Sequence, residues 1–231
     1  MNKLKDIRDA IAAIPDGASI MVGGFGSPGT PFSLLAELMR QGQRNLTLVK
    51  NDANEASLGI SKLIESGQVK TLITTHIGLN KRVVELMNRG SITVQFHPQG
   101  ILAEKIRVAG SGSFGFLSDI GIGTEITDPS TLIEWQGKKL KIEAALSADF
   151  ALISADRADH YGNLCYRATA MNFSPLMAMA AEHVIAETPR LLPAGSIVPE
   201  QVHTPSAFVA AVVHVSQESP EYQPVEGRYG Y

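Results

Sequence analysis

Between Ala18 and Ala109, apolar runs too short to be helices alternate four times with stretches of helical periodicity. Ala18 to Val22, Leu46 to Val49, Val69 to Thr75 and Ile92 to Phe96 have the length and residue types of strands. Phe32 to Met39, Gly59 to Glu65, Asn80 to Asn88 and Leu102 to Ala109 place their apolar residues at spacings of three and four. Strands separated by helices in this order predict an open, mainly parallel sheet with helices on both faces, an α/β fold. The amino-terminal segment adds a helix over Leu4 to Ile14, closed by the turn Pro15-Asp16-Gly17. Ligands on such sheets bind beyond the carboxyl ends of the strands, which directs attention to the loops containing Phe25, Asn51 and Gln99.

The first of these loops runs Gly23-Gly24-Phe25-Gly26-Ser27-Pro28-Gly29-Thr30-Pro31, with four glycines and two prolines in nine positions. Gly24 to Gly29 matches the G-x-G-x-x-G expression of a dinucleotide site, and Asp52 could serve as its distant acid. Pro28 argues against that reading, because it removes an amide donor that a phosphate would use. A P-loop is excluded, since no Lys-Ser or Lys-Thr follows the last glycine. A structural turn and a ligand-facing loop of another kind remain, and the second is preferred.

Elsewhere, Gly110 to Gly123 holds five glycines and three serines in fourteen positions, which reads as a long loop suited to close approach. Ile133 to Leu140 reads as a hairpin turning at Gly137, and Ala148 to Ala155 as one more buried strand. Pro175 to Ile185 is rich in Met and Ala and reads as helix or close-packed core. Residues 1–215 form one expected domain, followed by a polar tail over 216–231 that reads as poorly ordered or draped on a partner.

A net charge of −3, from 20 basic and 23 acidic side chains, implies neither nucleic acid nor an anionic membrane as partner. No signal segment and no apolar run of about 18 residues is visible, so the expected location is the cytoplasm, away from membranes. Cys165 is the single cysteine, the histidines are scattered, and no metal site is expected. No G-x-S-x-G is present. Gln99, in Pro98-Gln99-Gly100, is a neutral amide that could donate to an oxyanion whatever the pH.

Taken together the residues resemble the alpha subunit of the family I CoA-transferases. The match runs through Asp16-Gly17, Ile20-Met21-Val22, Gly23-Gly24-Phe25 and Gly29-Thr30-Pro31, then Pro98-Gln99-Gly100 with Leu102-Ala103-Glu104. It continues through Ala148 to Ile153, Gly162-Asn163-Leu164, Asn172-Phe173 and His203-Thr204-Pro205, and so covers about residues 4–215. The resemblance implies a three-layer CoA-transferase-like domain acting only with a beta subunit, in an alpha2beta2 assembly. The partner's Ser-Glu-Asn-Gly glutamate would carry the acyl and then the CoA group, and no such segment occurs here.

By the same resemblance Gln99 is catalytic, Asn51 contacts substrate, and Gly23, Gly24, Phe25, Gly26, Ser27, Pro28 and Gly29 form the CoA-binding stretch. Coenzyme A is then a substrate and no cofactor is held permanently. The implied partners in reaction are an acyl-CoA and a small carboxylic acid. Acetoacetate with acetate or succinate leads, with 3-oxoadipate next. Departures at Ser111 to Gly121, Ser174 and Thr75 to Gly78 bear on acyl choice rather than on Gln99. Acyl-CoA hydrolysis by a diverged pair, and a noncatalytic CoA or sugar-phosphate binder of the same fold, stand as alternatives.

Overall fold

The computed structural model describes residues 2–216 and 219–222. The strands are β1 (Ser19–Val22), β2 (Leu46–Val49), β3 (Val69–Thr74), β4 (Thr93–Phe96), β5 (Gly115–Ser118), β6 (Leu132–Trp135) and β7 (Lys138–Ala144). They continue with β8 (Ala148–Ser154), β9 (Arg157–Asp159), β10 (Leu164–Cys165), β11 (Ala181–Thr188), β12 (Leu191–Leu192) and β13 (Ala211–His214). The helices are α1 (Ile7–Ala12), α2 (Phe32–Gln41), α3 (Ile60–Glu65), α4 (Lys81–Asn88), α5 (Gln99–Gly110) and α6 (Ser174–Ala180).

Seven strands form one sheet in the order β13-β11-β8-β1-β2-β3-β4, parallel at every pairing. Alternate residues feed two cores. Ile20, Val22, Leu48, Leu72 and Leu152 pack with Leu35, Leu38, Leu63 and Val83 of α2 to α4. Met21, Val49, Ile73, Ala151 and Ile153 pack with Leu102 and Ile106 of α5 and Met177 and Ala178 of α6. Burial on both faces explains why these strands read as unbroken apolar runs. The result is the expected three-layer arrangement.

The order along the sheet decides where a site can lie. The chain runs outward from β1 through β2, β3 and β4, then returns to the other side of β1 for β8, β11 and β13. The reversal falls between β1 and β8, and the glycine-rich turn leaves β1 at that point. A crevice outside the strand ends at such a reversal is the usual ligand site of open α/β sheets.

Three sequence expectations change. The 110–123 stretch is not one long loop: α5 extends to Gly110, and Gly115 to Ser118 pair with β7 in an antiparallel sheet β5-β7-β6. Its glycines do mark close approach. A Cβ on Gly115 would lie 2.5 Å from the Glu143 carbonyl oxygen, and one on Gly110 would lie 2.7 Å from Met179 Cβ. The stretch 175–185 divides, with α6 ending at Ala180 and β11 beginning at the next residue. No glycine or proline separates them, so composition hides the boundary.

The tail also differs where it is described. Tyr222 stacks edge-on against Phe32 at 4.8 Å, and its Oη lies 2.6 Å from the Thr30 carbonyl oxygen and 2.8 Å from Glu187 Oε1. Glu221 pairs with Lys62 at 2.6 Å. The rest of the expected tail lies outside the described residues. Glu187 also accepts from the Leu34 amide at 2.8 Å, supplying from β11 the cap that Pro31 cannot give α2.

The small sheet is inverted relative to the usual rule. Lys141 and Glu143 face inward and are buried, while Leu117, Ile142 and Trp135 are exposed. Glu143 bridges Lys105 of α5 at 3.0 Å and Lys141 at 2.6 Å. Its carboxyl pKa is below the usual value, because the two ammonium groups outweigh the opposing effect of burial.

Candidate active site

The glycine-rich turn is built by its neighbours. Gly24, Gly26 and Gly29 have φ of 105°, 59° and 81°. A Cβ on Gly29 would come within 2.5 Å of the Ala170 carbonyl oxygen, so that position needs glycine twice over. Asn172 clasps the turn from one side, accepting from the Gly24 amide at 3.1 Å and donating to the Pro28 carbonyl at 3.0 Å.

From the other side comes Lys50, the residue after β2, with no exposed surface. Its Nζ donates to the carbonyls of Gly24 at 3.2 Å and Gly26 at 3.3 Å, and lies 3.6 Å from Asp52 Oδ1. Asp52 Oδ2 accepts from the Gly26 amide at 2.7 Å, and Asn54 Nδ2 donates to the Gly26 carbonyl at 2.8 Å. Burial opposes the charge on Asp52, but Lys50 and the donors around it outweigh that cost and hold its carboxyl below the usual range.

This wiring decides what the turn offers. The Gly23, Gly24, Phe25 and Gly26 amides donate to Leu152, Asn172, Pro28 and Asp52 respectively. A phosphate nest needs such amides turned to the ligand, and here they are spent within the protein. Asp52 likewise faces the turn and its own backbone, so it is not the ribose-reading acid of a dinucleotide site. What the turn presents is the half-exposed ring of Phe25.

Phe25 and Gly26 form one wall of a cleft completed by Asp52, Leu58, His76 and Leu79, at the ends of β1, β2 and β3. A second cleft, across the turn, is lined by Pro28, Gly29, Ser154, Asp156, Arg167 and Tyr222. They enclose about 100 and 180 Å³, against roughly 300–1,000 Å³ for complete small-molecule sites, and a CoA ester would overfill either. A more open hollow beside the same turn, lined by Phe25, Pro28, Thr169 and Asn172, spans about 500 Å³.

Gln99 stands at the first position of α5, one strand further along the same edge. Pro98 makes this possible: it precedes the helix, and its carbonyl accepts from the Leu102 amide at 2.9 Å. The helix therefore begins three residues earlier than periodicity suggests, and Gln99 sits where the helix dipole favours negative charge. Its side chain is exposed, and one Nε2–H donates to Asn51 Oδ1 at 2.7 Å. Asn51 is fully buried. Its backbone carbonyl accepts from the Thr74 and Thr75 hydroxyls at 3.0 and 2.7 Å, and its Nδ2 donates to Asp52 Oδ2 at 3.0 Å.

The structure thus brings Gln99, Asn51 and the turn to one edge. Asn51 stands behind Gln99 and lines neither cleft. Sequence reasoning missed Lys50 and Asn172. No sequence signal singled out Lys50, since a lysine just past a strand end normally marks solvent.

Among the described residues no three His, Cys, Asp or Glu side chains converge to hold a metal ion, and no helix is long and apolar enough to cross a membrane. Cys165 is buried, donates to the Gln201 carbonyl at 3.0 Å, and has its thiol pKa raised by burial.

Comparison with known proteins identifies the family and agrees with the fold. The coenzyme A transferase family model matches residues 4–215. A probable coenzyme A transferase subunit alpha of Bacillus subtilis is 45% identical over 91% of this chain and 93% of its own length. The acetate CoA-transferase subunit alpha of Escherichia coli is 41% identical, over 94% and 98%. Among solved structures, an acyl-CoA transferase from Escherichia coli O157:H7 superposes with a TM-score of 0.84 at 25% identity. That alignment covers 97% of this chain but 49% of the other, so the chain spans about half the length of that enzyme.

Proposed function

The chain belongs to the coenzyme A transferase family, in its alpha-subunit type, and from that premise we propose that it supplies the oxyanion-stabilising wall of a site shared with a beta subunit. The reading rests on Gln99, an exposed amide held by Asn51 at 2.7 Å on a helix N-terminus. A planar NH₂ group has two hydrogens, and Asn51 takes one. The other is available to an oxygen that becomes negative during reaction.

The chemistry is an exchange of carboxylate and thiolate. The partner's glutamate carboxylate attacks the thioester carbonyl, forming a C–O bond and a tetrahedral oxyanion. Gln99 donates to that oxyanion. Its collapse breaks the C–S bond and releases CoA thiolate, leaving an acyl-glutamyl anhydride. The thiolate then attacks the glutamyl carbonyl, expelling the first carboxylate and leaving CoA as a thioester on the glutamate. An acceptor acid reverses these steps, so no net hydrolysis occurs while water is excluded.

The small clefts and the apolar Phe25, Leu58 and Leu79 suit a short acyl or 3-oxoacyl group. Acetoacetate exchanged with acetate or succinate is the leading pair, then 3-oxoadipate. The turn from Gly23 to Gly29 contributes to CoA binding through shape and the Phe25 ring rather than through a phosphate nest. Asn51 acts on substrate through Gln99. The working unit is an alpha2beta2 assembly, with coenzyme A as substrate.

The test is Gln99→Ala in the assembled enzyme. The expected fall in kcat is roughly 10²-fold or more, the loss seen when one oxyanion donor is removed. Full turnover by that variant in a CoA-exchange assay would end the assignment.

A further inference from the structure

Four side chains form an unbroken series behind the turn. Lys50 Nζ lies 3.6 Å from Asp52, Asn51 Nδ2 donates to Asp52 at 3.0 Å, and Gln99 Nε2 donates to Asn51 Oδ1 at 2.7 Å. Lys50 and Asn51 have no exposed surface and Asp52 very little, whereas Gln99 is exposed.

An amide side chain can be turned end for end with little change in shape, so its neighbours must decide which end faces where. A carboxylate decides it here, because an ionised carboxylate only accepts. Asn51 must therefore turn its NH₂ to Asp52, which leaves its oxygen for Gln99. Gln99 must then turn its NH₂ to Asn51. A reversed Gln99 would place an oxygen where the donor belongs and repel an oxyanion there. Lys50 makes the arrangement tenable, since a buried carboxylate needs a counter-charge.

We infer that Asp52, paired with Lys50, is a positioning residue that sets the direction of the Gln99 amide through Asn51. The same carboxylate holds the Gly26 amide at 2.7 Å, so one group aligns both the glycine-rich turn and the donor. It acts by orientation and touches no reacting atom. The inference rests on the role proposed for Gln99.

Asp52→Asn tests it, because a neutral amide of the same shape both donates and accepts, and so permits either orientation of Asn51. In the complex with the glutamate-bearing subunit, kcat should fall roughly 10- to 100-fold, the range found when orienting partners are lost elsewhere. A change in KM for acyl-CoA would report the hold of Asp52 on the turn, whereas the fall in kcat reports its effect on Gln99. In a Gln99→Ala background the further loss in kcat should be clearly smaller, since the group Asp52 orients is gone and only its hold on the turn remains.

If Asp52→Asn costs as much with Gln99 absent as with it present, Asp52 serves the fold alone and the inference is overturned. If Gln99→Ala by itself costs nothing, the role of Gln99 fails instead. Should Asp52→Asn not fold, Asn51→Ala cuts the same series one residue nearer Gln99, and its cycle with Gln99→Ala is read in the same way.

Discussion

At the scale of single residues, the site separates into groups legible from sequence and groups that are not. The loops holding Gln99 and Asn51 were legible, because each follows a strand at the edge where open α/β sheets bind ligands, while the roles of the two side chains came from the family resemblance alone. Lys50 was not, because lysine at a strand end normally marks solvent, and only the folded turn shows two carbonyls and a carboxylate converging on it. Its removal carries a clear expectation. Lys50→Met keeps the length and apolar stem of the side chain but leaves Asp52 without its counter-charge and the Gly24 and Gly26 carbonyls without their shared donor. Breaking a buried pair from one side costs about 3–5 kcal/mol. The urea midpoint of the purified variant should therefore fall well below that of the parent. An unchanged midpoint would show that the ion pair adds nothing to the fold.

At the scale of elements, periodicity located the strands of the first half because a parallel sheet buried on both faces leaves continuous apolar runs. It failed where burial and composition part company. The boundary between α6 and β11 falls inside a run of alanine and methionine, residues that serve a close-packed helix and a central strand alike. The small sheet misleads in another way. Alternation in β7 is plain, but the apolar set faces outward and Lys141 and Glu143 face α5. Glu143 is then the element's attachment, compensating two buried lysines at once. Glu143→Ala should loosen β5, β6 and β7 from α5, with a loss of about 3–5 kcal/mol. Limited proteolysis should show new cleavage between Ser118 and Leu132, ahead of any cut in the main sheet. Cleavage that remains unchanged would mean that backbone pairing alone holds this sheet in place.

At the scale of the whole molecule, the reversal of strand order between β1 and β8 puts the turn where a ligand should bind, yet two clefts there enclose only about 100 and 180 Å³. The hollow of about 500 Å³ lined by Phe25, Pro28, Thr169 and Asn172 is open on its far side. Gln99 opens onto solvent at the same edge, and no Ser-Glu-Asn-Gly nucleophile segment occurs anywhere in the chain. The structural relative from Escherichia coli O157:H7 is about twice as long as the part this chain matches. These facts have a common explanation if the remaining wall and the nucleophile come from a second polypeptide. The purified chain should then exchange no label between acyl-CoA and free carboxylate. Titration with the glutamate-bearing subunit should restore exchange in proportion to complex formed, with saturation at one partner per chain. If that partner's Ser-Glu-Asn-Gly carboxylate forms the covalent bond, its change from Glu to Gln should abolish exchange in a complex that still assembles. Exchange by the isolated chain at the rate of the complex would place the whole reaction within these residues and overturn the divided site.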